Sequence, residues 1–543
     1  MMRFKFSRHG LSPQEHRIER FFEILPGATS WMVIIGLSAF SFFQPVFAAL
    51  IIILFDFYWL LRLFYLTLFL IIAYVRLSLE ENTDWLGRIQ QIDGLHQGAT
   101  SHPKIQKMWK EVISNWVFQK EIRRLRESNS LPPLSKDILH LVIVPSFKET
   151  RQVLEPGVKS YARGSFPAKQ VLIVLAVEER ADEEVKKAAE DLRKEYQGIF
   201  FDFLVVRHPE GLEGEARVKG ANATFAAKAS QKYLEDQKIP KEKVIVSCFD
   251  ADTVVSESYF ACLTYSFMAC PERERASFQP IPVYHNNIWD VPGFARILEM
   301  GASFFQLTEA THPDRLVTFS SHSMSFKALV DVDYWPVDMV SDDSAIFWKA
   351  FIHYEGDYRA VPLYVTLSMD VVDAGGWWQT CVNVYKQKRR WAWGVENFPI
   401  VMRGFLKSKK IPVFERLRHS FKLFEGHIAW ATWPIILGMI GWLPAFFAGQ
   451  EFSDSVVYYT APRISSIIFN LASLSLVTTI VLSLCLLPKR KMKHSFLRRA
   501  LHALEWLAIP VVAIFFSAFP ALEAQTRLML AKYMEFWVTE KRR

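Results

Sequence analysis

Hydrophobic and polar positions change rhythm several times along the chain. From Ile24 to Val75 nearly every residue is apolar, broken by Gly27, Gln44 and Pro45 and by two charges, Asp56 and Arg62. About 20 residues cross a bilayer, so this length predicts two spanning helices turning near Gln44-Pro45. Charge is costly in lipid, which puts Asp56 and Arg62 against protein or near the interface. Ile428 to Phe447 and Ile464 to Leu487 read as a third and a fourth span. Leu504 to Leu522, interrupted by Pro510 and Pro520, reads as a fifth span or, by preference, as a re-entrant hairpin. Between Arg76 and Ser135 lies a polar, helix-prone stretch that ends at Pro132-Pro133. After it come short apolar runs at 139–145 (LHLVIVP), 170–177 (QVLIVLAV), 200–206 (FFDFLVV) and 243–249 (KVIVSCF), separated by charged helical segments such as Ala181 to Tyr196. Such runs are strands buried on both faces and predict a mainly parallel α/β sheet, whose ligands bind beyond the carboxyl ends of the strands. The expected organisation is 1–79, an N-terminal segment with two spans; 80–137, a helical linker; 138–405, a catalytic domain; and 406–543, a membrane region with a basic tail.

Composition sharpens this division. A chain of 543 residues with 51% hydrophobic residues, 44 Phe and 17 Trp is rich for a soluble enzyme, yet 22% charged is too much for a bundle of spans alone. The net charge of +8 sits beside apolar stretches, which favours a bilayer over nucleic acid as its partner. Arg3, Lys5, Arg8, Arg17 and Arg20 before the first span, and Lys489 to Arg499 between the last two apolar stretches, belong on the cytosolic side by the positive-inside rule. That places the region from 76 to 427 in the cytosol and the protein in the cell membrane. The tail Glu540 to Arg543 prefers the cytosol too, which favours the hairpin. Cys248, Cys262, Cys270, Cys381 and Cys485 form no zinc-like spacing and are expected as reduced thiols.

The run at 243–249 leads into Asp250-Ala251-Asp252. Two carboxylates one residue apart at the end of a buried strand can hold a Mg2+ or Mn2+ ion that bridges diphosphate oxygens. Three further elements follow the ends of the earlier runs: Ser146-Phe147-Lys148-Glu149, Glu178-Glu179, and Lys219-Gly220-Ala221-Asn222. Later come Ser341-Asp342-Asp343 and Gln387-Lys388-Arg389-Arg390-Trp391, a QxxRW motif without a mismatch.

In this order the motifs resemble the family 2 glycosyltransferases of GT-A (Rossmann-like) fold, particularly the membrane-embedded group with the cellulose, chitin and hyaluronan synthases. The resemblance covers about 140 to 400 and the flanking spans. It implies that Glu149 and one of Glu178 or Glu179 contact the nucleoside, that Lys219 lies near the diphosphate, and that Asp250 faces the nucleotide while Asp252 takes the metal. It makes Asp343 the general base, Arg390 a stabiliser of the leaving diphosphate, Trp391 an aromatic floor for the acceptor sugar, and Gln387 an acceptor-orienting group. The departures are Glu178-Glu179-Arg180, where paired aspartates and a glycine are usual, Asp342, where a glutamate is usual, and Ser320 to Ser323, which lack the expected glycines. His322 has two readings, a third metal ligand and the commoner buried structural histidine.

Other features carry paired readings. Lys386 to Arg390 is a phosphate patch or a solvated helix face; Trp377-Trp378 is a sugar-stacking gate or an interfacial anchor; Gln279-Pro280 lines the donor pocket or packs the core. Asp370 and Asp373 read as loop carboxylates, and Lys407 to Lys410 with Arg416, Arg418 and Lys422 as headgroup contacts. The implied reaction is inverting transfer from a UDP- or GDP-linked sugar to a polysaccharide hydroxyl, processive synthesis being the form the flanking spans favour. The alternatives are transfer of one sugar to a lipid acceptor, since related ceramide glucosyltransferases share QxxRW, and a non-catalytic membrane scaffold or transporter.

Overall fold

The structure, a computed structural model, describes residues 4–97, 109–128, 131–447, 456–488 and 504–535. The basic loop after Pro488 and the tail Glu540 to Arg543, on which the expected orientation leans, lie outside the described residues.

The four apolar runs form β1 (Leu139–Ser146), β2 (Val171–Glu178), β3 (Asp202–His208) and β4 (Val244–Cys248), paired in parallel in the order β3-β2-β1-β4. Their continuous apolar character follows from burial on both faces. Leu154, Leu192, Tyr259 and Phe260 belong to the core that packs one face, and Ala223, Phe326, Ile346 and Trp348 to the core that packs the other. The sheet then continues through β5 (Val254–Val255), β6 (Ala276–Val283), β7 (Ser323–Ser325) and β8 (Arg359–Ser368), giving eight strands in the order β3-β2-β1-β4-β7-β6-β8-β5. Here the sheet is mixed: β7 runs antiparallel to β4 and β6, while β6 and β8 are parallel. A proline cannot donate to a ladder, and β6 carries Pro280 and Pro282; its pairing with β8 slips between Gln279 and Ile281. Because β1, β2, β4, β6 and β8 point the same way, their carboxyl ends share one edge.

Among the described residues four helices are long and apolar enough to cross a membrane: Pro13–Phe43, Pro45–Glu80, Arg463–Leu486 and Trp506–Met529. The first starts at a capping box, with the Ser12 hydroxyl accepting from the Glu15 N–H and the Glu15 carboxylate accepting from the Ser12 N–H. The chain turns at Gln44, as the sequence predicts. The third expected span is a broken pair, Val413–Gly438 and Ile440–Phe446, bent by 41°. The hairpin expected at 504–522 is not formed. Pro510 and Pro520 each sit at the first positions of a helical segment, where a missing N–H costs nothing, and a π turn at Ile514–Ala518 joins those segments into one helix. Inside the spans, Asp56 accepts from Ser465 Oγ at 3.2 Å, and Arg62 pairs with Glu425 at 2.6 Å.

The linker helices Trp85–Gly94 and Trp109–Glu127 pack through Trp85 and Phe118 onto Tyr265. The last helix docks on the QxxRW helix Trp377–Ala392 through Glu523, which accepts from Tyr385 at 2.9 Å and Arg389 at 2.6 Å. One junction between the long apolar helices and the sheet domain therefore lies at the QxxRW helix. The basic residues around the start of the broken pair also make ion pairs within the protein: Lys407 with Glu15, Lys410 with Glu355, Arg418 with Asp314 and Glu415, and Lys422 with Glu309. All five cysteines are unpaired thiols.

Candidate active site

Lys219 opens the helix Lys219–Asp236. Its neighbour Gly220 lets that helix press against the Asp342 loop, for a Cβ there would lie 2.4 Å from the Pro336 carbonyl oxygen and 3.0 Å from Asp342 Cβ. The approach puts Lys219 Nζ between two carboxylates, 2.7 Å from Asp250 Oδ1 and 2.9 and 3.2 Å from the oxygens of Asp343. Three motifs spread over 124 residues of chain thus meet at one ammonium. Burial alone would lower the Lys219 pKa, but the charges of Asp250 and Asp343 outweigh it and hold the ammonium well above its ordinary value.

Asp250 is fixed from a second side. Ser320 Oγ donates to its Oδ2 at 2.5 Å, and its own N–H donates to Ser321 Oγ at 3.1 Å. Ser321 has φ +60°, a left-handed conformation that costs a non-glycine residue about 1 kcal/mol or more. Its hydroxyl offsets that cost by binding the Asp250 amide and, at 2.8 Å, Thr253 Oγ1. A serine therefore does here what the sequence comparison leads one to expect of glycine.

Asp252 is fully buried, and its Oδ2 accepts from the Asp370 N–H at 2.7 Å. Asn286 Nδ2 joins the same pair, donating to the Asp252 carbonyl at 3.0 Å and to Asp370 Oδ1 at 2.8 Å. Asp370 is consequently part of the DxD network, which corrects its reading as a simple loop carboxylate. The missed signal was its place just past the carboxyl end of β8, on the edge where DxD lies. Asp373, by contrast, accepts from the Gly375 N–H and stays a loop residue. Tyr284, just past β6, was also missed: it is buried, within the fields of Asp250, Asp252 and Arg390, and its pKa is raised by burial first and by the Glu299, Asp250 and Asp252 charges next.

Asp250 and Asp252 would offer a divalent cation hard carboxylate oxygens of the kind Mg2+ takes. Among the described residues no three of His, Cys, Asp and Glu converge on one point. His322 follows the structural reading: Nδ1 bonds the Phe319 carbonyl at 2.9 Å, and burial lowers its pKa.

Asp342 and Asp343 begin the helix Asp342–His353. Asp343 keeps 23% of its side chain exposed, whereas Asp342 is buried and its pKa is raised well above the carboxylate range by burial and then by the Asp343 charge. The two neighbours therefore divide into an accessible carboxylate and a buried acid.

On the QxxRW helix, Gln387 is buried and Trp391 lies near Tyr284, ring centres 6.2 Å apart. Lys388 is neither a phosphate contact nor solvated. Its Nζ sits 2.8 Å from both oxygens of the fully buried Glu299 and 3.5 Å from the centre of the Trp391 ring, and burial lowers its pKa despite that partner. Arg390 lies close enough to affect both Asp342 and Tyr284.

The residues expected at the nucleoside gather at one corner rather than at the ammonium. Glu149 Oε2 is committed to its own loop, accepting from the Phe147 and Lys148 N–H groups at 2.8 and 3.0 Å. Glu178 pairs with Arg180, whose guanidinium lies 4.3 Å over the Phe147 ring, and Glu179 Oε2 accepts from the Glu210 N–H at 3.2 Å. A solvent-open cleft lined by Glu178, Arg180, His208, Glu210 and Arg217 runs to Val218, the residue before Lys219. Gln279 follows its core reading, accepting from the Phe319 N–H at 2.8 Å and so holding the loop that carries Ser320. Trp377 and Trp378 are exposed, and Trp377 packs edge-on against Phe294.

Residues 245–488 match the family described as glycosyl transferase family group 2. The chain carries a glycosyltransferase family 2 domain. Its sheet is of GT-A type, and the match runs from the DxD strand through QxxRW to the end of a membrane-length helix. Among curated proteins, the poly-β-1,6-N-acetyl-D-glucosamine synthase of Staphylococcus aureus (strain COL) is 28% identical over 177 residues, 31% of this chain and 39% of that protein. The protein of the same name from Staphylococcus epidermidis is 28% identical over 199 residues, 35% and 43% of the two chains. The chain thus spans about two fifths of the relatives it matches. Among solved structures, the mannosyltransferase PcManGT from Pyrobaculum calidifontis, in complex with GDP-Man and Mn2+, aligns at 16% identity and TM-score 0.40, covering 72% of this chain and 99% of that one. S. aureus TarS 1–349 in complex with UDP-GlcNAc aligns at 13% identity and TM-score 0.35, covering 62% and 90%.

Proposed function

We propose that this glycosyltransferase moves a sugar, with inversion, from a nucleoside-diphosphate sugar to a hydroxyl of a growing polysaccharide, processively and at the cytosolic face of a membrane. The observation that carries the reading is the Lys219 ammonium shared by Asp250 and Asp343. It joins the carboxylate of the DxD motif to a second, accessible carboxylate at one ammonium.

In the reaction Asp343 accepts the proton of the acceptor hydroxyl while that oxygen bonds to the anomeric carbon and the bond to the diphosphate oxygen breaks. Attack opposite the leaving group inverts the centre, and one base suffices. Lys219 and Arg390 stabilise the charge that develops on the departing diphosphate. Asp250 and Asp252 would hold a Mg2+ or Mn2+ ion, which when bound neutralises diphosphate charge. Asp370 and Asn286 keep Asp252 oriented towards it. Gln387 orients the acceptor, and Trp391, braced by Lys388, offers it an aromatic face. Glu149, Glu178 and Glu179 form the nucleoside end of the donor cleft, and the spans anchor the enzyme in the bilayer.

The names of the curated relatives support a polymer containing N-acetylglucosamine over a one-sugar glycolipid. Membranes containing the protein, incubated with labelled UDP- and GDP-sugars one at a time, should convert one donor into material retained on sizing as a polymer. A single-sugar lipid product would overturn the polysaccharide acceptor, and inertness towards every donor would overturn the transferase.

A further inference from the structure

The helix that presents Asp343 is not capped by its own first residues. Ser341 precedes it, yet its hydroxyl makes no capping bond to that helix. Instead both the Ser341 N–H and the Ser341 hydroxyl donate to one oxygen of Glu396, Oε1, at 2.8 and 2.7 Å. Glu396 lies five residues beyond Trp391, on the turn that ends the QxxRW helix, and it is 1% exposed. Its other oxygen, Oε2, accepts from Trp393 Nε1 at 2.9 Å and from Arg8 Nη2 at 2.9 Å. The next residue strengthens the tie, for Asn397 Nδ2 donates to Ser344 Oγ at 2.9 Å, and that hydroxyl donates in turn to the Ser341 carbonyl at 3.2 Å.

A buried carboxylate needs partners for its charge and its lone pairs. Glu396 has four donors, and they come from three parts of the chain: the segment before the first span, the Ser341-Asp342-Asp343 motif, and the end of QxxRW. The Arg8 segment is itself held to the sheet domain. Ser7 Oγ donates to Asp338 Oδ2 at 2.6 Å, and Arg403 Nη2 donates to the Ser7 carbonyl at 2.8 Å. Arg8 is thus a placed counter-charge rather than a roving surface arginine.

We infer that Glu396 is a positioning residue for the transfer reaction: its carboxylate locks Ser341 to the QxxRW segment, so that Asp343 and the Arg390–Trp391 pair keep a fixed separation, with Arg8 supplying the charge that lets it stay buried. The role rests on the proposed reading of Asp343 as the base. Misplacing a reacting group by about 1 Å can cost on the order of 100-fold in rate without touching binding. Glu396→Gln keeps the size of the side chain but exchanges one acceptor for an NH2 group that must face the donors of Ser341 or of Arg8 and Trp393.

The test uses the full-length protein in detergent or nanodiscs. Glu396→Gln should lower kcat on the order of 100-fold, leave donor KM and the affinities for UDP and GDP in the presence of Mn2+ unchanged, and speed amide exchange at 341–343. Glu396→Asp should recover part of kcat. Ser341→Ala, a milder change that guards against misfolding, should lower kcat about tenfold and should add little in the Glu396→Gln background. Wild-type kcat in Glu396→Gln, equal losses of kcat and nucleotide affinity, or additive losses in the double variant would each overturn the positioning role while transfer by the wild type stands. A wild type inert towards every donor is a separate result, which overturns the transferase reading and this role with it.

Discussion

Replacing Lys219 by Met keeps the length of the side chain and removes the charge that three motifs share. The Asp250 and Asp343 carboxylates, 28% and 23% exposed, would then face one another without the ammonium now 2.7 and 2.9 Å away. Removing one partner of a buried ion pair costs about 3–5 kcal/mol, and the partial exposure of both carboxylates argues for the lower end, about 3 kcal/mol. Separately, a charge-assisted bond to a diphosphate contributes about 1.5–3 kcal/mol, or roughly 10- to 100-fold in affinity. Lys219→Met should therefore weaken UDP or GDP binding with Mn2+, measured by titration calorimetry, by roughly 10- to 100-fold, and should lower the thermal unfolding midpoint. The pH dependence has a definite sign. The Lys219 pKa is raised in the folded protein, so its stabilisation is complete below the ordinary lysine value and is lost only as pH rises through the raised one. The stability deficit of the variant should accordingly be level from about pH 6 to 9. Equal affinity and an equal midpoint in the variant would refute the claim that this ammonium organises the site.

The adjacent carboxylates should respond in opposite ways. Asp342 is held above the usual carboxylate range by burial, so the stability linked to it is complete below about pH 4 and is lost as pH rises towards the folded value. Asp342→Asn, which mimics the neutral acid, should raise the unfolding midpoint at pH 7, lose that gain near pH 4, and keep transfer within about tenfold of wild type. Asp252→Ala should abolish the Mn2+-dependent part of nucleotide binding, measured by titration with and without chelator; unchanged dependence would remove Asp252 from the metal. Glu299→Gln should loosen Lys388 under Trp391 and raise the acceptor KM more than the donor KM, and a donor-only effect would contradict the role of that ring.

The first half of the sheet was legible because β1 to β4 are apolar on both faces, and unbroken runs such as VLIVLAV have few other readings. The second half was not. β7 has three residues, β5 has two, and β6 contains two prolines, which argue against a strand unless a register slip absorbs them. The last span was misjudged because Pro510 and Pro520 look like breaks in sequence, whereas each begins a helical segment. At the site, the motifs picked out Lys219, Asp250 and Asp343, whose side chains meet in the structure, and Trp391, which lies beside Tyr284. They missed Asp370, Asn286 and Glu396, whose importance lies in which backbone or side-chain group they hold. Lys388 was misread for the same reason: its buried partner Glu299 is 89 residues away in the chain.

The most direct test of the account is Asp343→Asn, with nucleoside-diphosphate release and acceptor glycosylation followed beside UDP and GDP binding in the same preparation. Transfer should disappear while nucleotide affinity stays near that of the wild type, and sustained turnover by the variant would contradict the role of Asp343 as the base.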